Sequence, residues 1–152
     1  MKNYYNLSTL LHDSILADTL VNRVTKGSLD KITNAKQDMY PLCHIIFNDV
    51  AFRGNTTVYN ISLVMMSIVD ISKDDVTDIY KGNDNEDDVL NTTLSILNRT
   101  FERVRRGDIY DLGYEVLDDT ASCEPFVDRF TDAVAGWTMT FDILAPNEMT
   151  IC

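Results

Sequence analysis

Apolar and polar side chains alternate most strictly near the end of the chain. From Trp137, the residues Trp137, Met139, Phe141 and Ile143 fall on one side, and Thr138, Thr140 and Asp142 on the other. A period of two predicts a strand with one dry face and one wet face. Before it, Phe126, Arg129 and Phe130 lead into a short connection, Thr131–Gly136, so the chain is expected to finish as a hairpin or a pair of neighbouring strands.

The same pattern marks Thr56–Asp70 as a long strand. Tyr59, Ile61, Leu63, Met65, Val69 and Ile71 share one face. Asn60, Ser62, Val64, Met66, Ile68 and Asp70 share the other, which begins polar and turns apolar, as if passing from solvent into cover. Asp38–Phe52 reads as a strand apolar on both faces, with Cys43, Ile45 and Phe47 opposed to Leu42, His44 and Ile46, and Pro41 near its start. A turn at Arg53-Gly54-Asn55 joins the two strands into a long antiparallel hairpin. Leu29–Lys36 is short enough to be a strand or a loop. Asp108–Asp119 fits either a short strand or an irregular excursion.

Two segments carry a helical period. In Tyr4–Val24 the residues Leu7, Leu10, Leu11, Ile15, Leu16, Leu20, Val21 and Val24 form a wide apolar arc, and Gly27 supplies a stop. A core helix and a subunit interface both fit that arc. In the second, Leu90, Leu94, Leu97, Phe101 and Val104 make a single stripe that predicts a helix lying on one face of a sheet. It starts within the acidic stretch Ser72–Asp88 and is ended by Gly107. Asp84, Glu86, Asp87 and Asp88 gather at its start and Arg99, Arg103, Arg105 and Arg106 at its end, both complementing the helix dipole. Tight turns in place of crossover helices favour an α+β domain with an antiparallel sheet. No linker or repeat divides residues 1–152, so a single domain is expected.

Charge narrows the partners. The chain has 24 Asp plus Glu against 13 Lys plus Arg, a formal net charge of −11. Nonspecific binding to a nucleic-acid backbone needs the opposite sign. Acidity suits solubility, a basic partner, or a passage that DNA crosses without sticking. Cys43, Cys123 and Cys152 make no CxxC pair and read as reduced thiols. Neither an apolar leader nor a bilayer-length apolar run is visible.

Candidate chemistry is sparse. His12 and His44 are the two histidines, and each reads as structural. The acidic stretch misses the spacing of a calcium loop: counted from Asp78 the sixth residue is Asn83, and from Asp74 it is Ile79. Phosphate-binding, zinc and nucleophile-elbow motifs do not occur. No catalytic residue, metal ligand or cofactor is therefore expected. Arg99, Arg103 and Arg106 at one end of the helix, and Asp84, Asp87 and Asp88 at the other, are candidates for head-to-tail pairing between copies around a ring. Capping and ion pairs within the chain are the plainer use of the same residues.

Three segments, VYNISLVMMSIVDISKD, DDVLNTTLSILNRTFERV and EPFVDRFTDAVAGWTMTFDILAPNEMTIC, carry a resemblance. Their key positions are Val58-Tyr59-Asn60, Asp70, Pro125-Phe126, Asp128-Arg129-Phe130, Asp132, Gly136-Trp137, Phe141 and Cys152. In these the chain resembles tail-completion or tail-terminator-like neck proteins of tailed bacteriophages, over Val58 to Cys152. The resemblance implies a small α+β protein that performs no reaction. It implies a six- or twelve-fold homo-oligomeric ring between portal and tail, with portal, adaptor or other neck and tail proteins as neighbours. DNA would pass without specific binding and no membrane would be involved; the chain would be made in the host cytoplasm and end in the virion. Residues 1–57 and the acidic Ser72–Asp88 stretch depart from the pattern, leaving portal adaptor, stopper and terminator open. Two rival classes are an acidic DNA mimic that occupies a basic nucleic-acid enzyme, and a small enzyme gathering His12 or His44 with carboxylates.

Overall fold

The computed structural model describes residues 4–27, 40–70, 75, 77–80, 82, 84–108, 110–128 and 134–147. Their elements, in chain order, are α1 (Tyr4–Leu16), β1 (Arg23–Lys26), β2 (Leu42–Arg53), β3 (Thr56–Ile68), α2 (Glu86–Arg103), β4 (Glu115–Asp128) and β5 (Val134–Pro146). The strands form one sheet in the order β1-β2-β3-β5-β4. The fold is α+β, with an N-terminal and a central helix beside the sheet.

The long hairpin forms as its alternation predicts. β2 and β3 pair antiparallel from Leu42↔Met66 to Arg53↔Thr56. Gly54 turns the chain with φ of 61°, the left-handed geometry that two-residue hairpin loops demand. β3 then pairs along its whole length with β5, Thr56↔Pro146 to Ile68↔Val134.

Both helices pack on one face of this sheet. Leu7, Leu11 and Ile15 of α1 and Ile96 and Leu97 of α2 share a buried cluster with Cys43, Ile45, Tyr59, Ile61, Leu63, Met65, Met139, Phe141 and Ile143. Phe101 meets Phe141 edge-on at 5.7 Å. The tyrosine–isoleucine face of β3 is thus the core face, as its pattern predicts. Ile71 lies outside the described residues.

The first helix is shorter than its apolar arc suggests. It ends at Leu16, and the arc belongs to two elements. Asp18 breaks the helix: its carboxylate accepts the Leu20 N–H at 3.1 Å, and its carbonyl accepts Val21 N–H at 3.2 Å. The chain turns there and runs as β1, with Arg23–Lys26 beside Leu42–Ile45 of β2. That pair is parallel and sits at one edge; the other three pairs are antiparallel, as the tight turns predict. The expected strand or loop at Leu29–Lys36 lies outside the described residues.

Three further boundaries move. α2 does not stop at Gly107; from Val104 it widens into a π turn, Val104–Asp108, followed by a 3-10 turn, Tyr110–Leu112. The ambiguous Asp108–Asp119 stretch holds these turns and the start of β4. β4 then runs beside β5, with its register shifted between Leu117 and Ser122. Gly136 lies inside β5 and not in a connection. A Cβ there would stand 1.8 Å from the Met65 carbonyl oxygen, so the glycine lets two central strands approach.

Candidate functional site

The histidines are held by the fold. His44 is fully buried; its Nδ1 lies 2.6 Å from Thr25 Oγ1 and its Nε2 2.8 Å from the Gly27 carbonyl. A carbonyl only accepts, so Nε2 carries the proton and Nδ1 accepts from the threonine. The ring thereby ties β2 to β1. His12 stands on the outside of α1 against Asp13, 3.0 Å away. Burial pushes the Cys43 and Cys123 thiols up from their ordinary range. Among the described residues, no group of three or more His, Cys, Asp or Glu is placed to hold a metal ion.

The arginines at the end of α2 separate into two groups. Arg99 Nε donates to Asp18 Oδ2 at 2.8 Å, and Arg103 donates to the Ser14 carbonyl. These two bind α2 to the end of α1. Burial of Asp18 alone would raise its carboxyl; the Arg99 and Leu20 hydrogen bonds and the Arg99 and Arg103 charges outweigh it and hold the group below its usual range. Arg105 and Arg106 both reach Glu102, at 2.8 and 2.6 Å. The Arg105 hydrogen bond is the main cause that lowers the Glu102 carboxyl. At the other end Asp84 is half-buried and Asp87 and Asp88 are exposed. α2 has 18 residues, so the two ends stand about 27 Å apart. Of the expected head-to-tail charge pair, Asp87, Asp88, Arg99 and Arg106 lie at the surface and Arg103 is half-buried, with Arg99 and Arg103 already engaged by Asp18 and the Ser14 carbonyl.

The start of α2 is fastened to the sheet by Trp137. Its indole Nε1 donates to the Leu90 carbonyl at 2.9 Å. Asn85, in the N-cap position, makes no side-chain cap bond. Its Oδ1 accepts the Asp70 N–H at 2.7 Å, joining the end of β3 to the helix start.

The second face of the sheet differs in kind. At one end Tyr40, Leu42, Val64, Met66 and Val134 form a smaller buried cluster that contains no residue from either helix. Its centre is polar and cross-linked. Asn60 Nδ2 donates to Asp142 Oδ1 at 2.7 Å, and Ser62 Oγ meets Thr140 Oγ1 at 3.0 Å. Asn48 Nδ2 lies 2.8 Å from both Asn60 Oδ1 and Ser62 Oγ. Asn48 is the extra residue of a bulge between Phe47 and Asp49, which turns it onto this face. Register places Asp49 beside Asn60, and Ser122 and Glu124 beside Thr140 and Thr138. Asp49, Ser122 and Glu124 are exposed, and Thr138, Thr140 and Asp142 half-exposed. The result is a broad hydroxyl, amide and carboxylate surface on rigid strands. Alternation in β3 and β5 makes half of this ladder legible; the bulge that supplies Asn48 has no signal in the sequence.

No known protein-family model matches the chain, and no curated protein matches it. Among the described residues no helix is long and apolar enough to cross a membrane.

Proposed function

We propose that this chain is a structural subunit of a phage head–tail connector, a neck ring that joins portal to tail and lets DNA pass. The observation that carries the reading is the polar second face of the sheet. A surface of Asn60, Ser62, Thr140 and Asp142, with Asp49 and Glu124 beside them, offers carboxylates and, among the described residues, no lysine or arginine at its centre. Phosphates are repelled weakly and evenly by such a wall. Turned inward, it lines a channel along which DNA slides; the helices then face outward, toward neighbouring proteins. The net charge of −11 has the same sense. The segments from Val58 to Cys152 that resemble neck proteins include both strands of this ladder. Asp87, Asp88 and Arg106 supply charge contacts between copies or with neighbours. The protein acts by geometry and performs no reaction.

The test is to locate the chain. An antibody against it, viewed by electron microscopy on purified phage particles that contain it, is expected to mark the head–tail junction. Label confined to the capsid shell or tail tip, or a chain recovered only with a basic nucleic-acid enzyme and absent from particles, overturns the reading.

A further inference from the structure

The two ends of the sheet carry complementary features. Among the described residues β1 pairs with only Leu42–Ile45 of β2, so the outer side of Ile46–Arg53 carries no described strand. On that stretch Phe52 is 77% exposed and Val50 41%. Both belong to the helix side of the sheet, since they pair with Thr57 and Tyr59 of β3. At the opposite end, also on the helix side, a groove of about 430 Å³ runs between α2 and β4. Leu94, Phe101, Ala121, Cys123 and Met139 line it, with Asn98 at its wall. Neither helix covers β4 there, and Leu94 is left part-exposed.

We propose that Phe52 of one copy fills this groove on the next copy, with the β2 edge of the first running antiparallel to the β4 edge of the second. The proposal rests on the ring reading and names its contact. Four observations agree. β2 and β5 run one way and β3 and β4 the other, so a β2 beside a β4 continues the alternation. The groove has room for an aromatic side chain, and its apolar floor lies beside Ser95, Asn98 and Ser122. With Phe52 opposite Cys123, Arg53 falls opposite Ser122 and diagonal to Glu124 on the other face, an opposite-charge cross-strand pair. Pro125, which has no N–H to offer, ends the backbone pairing just beyond Glu124.

The geometry also closes. Phe52 stands at the level of Thr57 in β3 and Cys123 at the level of Leu63, a stagger of six residues between copies. That is about 20 Å along the strands, against about 19 Å across the four strands β2, β3, β5 and β4 that lead from one seam to the next. Strands so staggered tilt by about 45° to the ring axis, the upper end of the range of closed sheets. The contact joins one edge to a different edge, so it propagates head-to-tail and closes only by rotation.

The test uses Cys123 as a native reporter. Within one chain Phe52 and Cys123 lie on strands separated by β3 and β5, too far for a disulfide. A Phe52→Cys, Cys152→Ser chain is expected to give, on mild oxidation, a ladder of linked dimers, trimers and larger species. Cys152→Ser alone is expected to give none. Phe52→Glu is expected to reduce any multimer seen by light scattering to the 17.3 kDa chain. A Phe52→Cys chain that stays unlinked when oxidised alone and again with virion neck components, or links no further than a dimer, overturns this contact. So does a multimer that survives Phe52→Glu. In each of those cases location at the head–tail junction still decides the ring reading separately.

Discussion

Gly136 shows how one residue sets the spacing of the sheet. The Met65 carbonyl oxygen would stand 1.8 Å from a Cβ at this position, and Met65 is a backbone neighbour with no freedom to yield. Gly136→Ala is therefore expected to cost about 3 kcal/mol or more, read as a fall in the urea midpoint; a loss under about 1 kcal/mol would contradict the close approach. Asp18 works by charge. Its folded carboxyl titrates below its ordinary value because Arg99, the Leu20 N–H and Arg103 outweigh the effect of burial. A lowered folded value means that the contribution is complete above the unfolded value, near pH 4, and is lost as pH falls through the folded one. Asp18→Asn is expected to lower stability at pH 7 and to flatten the stability–pH curve below about pH 4. An acid limb unchanged by the substitution would show that other carboxylates govern it.

At the level of elements, alternation identifies β3 and β5 and a single stripe identifies α2, because each buries one face against the same core. What stays hidden in the sequence depends on partners distant along the chain. The end of α1 is set by Asp18 meeting Arg99, and the parallel pairing of β1 by His44 reaching Thr25 and Gly27. The arginines show the same limit. Their spacing puts them at the helix end, but only the packing of α1 decides that Arg99 and Arg103 bond Asp18 and the Ser14 carbonyl. The polar ladder is legible at Asn60, Ser62, Thr140 and Asp142, and not at Asn48, which reaches it through a bulge. Trp137 reads as a core residue, yet it also holds α2 through the Leu90 carbonyl. Trp137→Phe keeps an aromatic ring and removes that donor. It is expected to cost about 1 kcal/mol and to speed amide exchange in the first turns of α2 relative to the sheet. Uniform exchange rates across α2 and β5 would argue against a local clamp.

The whole molecule has a helical face, a polar face and two unlike edges. Among the described residues both helices lie on one side and the polar ladder on the opposite side stays part-exposed, and the unlike edges suit a contact that repeats in one direction. The proposed ring subunit would act through the number and arrangement of its copies, so mass is the property that tests the proposal most directly. We would measure that mass by light scattering after size exclusion, alone and then with virion neck components. The account predicts a six- or twelve-fold species, or a single 17.3 kDa chain that those components recruit into one. A monomer or dimer that ignores them and binds a basic nucleic-acid enzyme would contradict it.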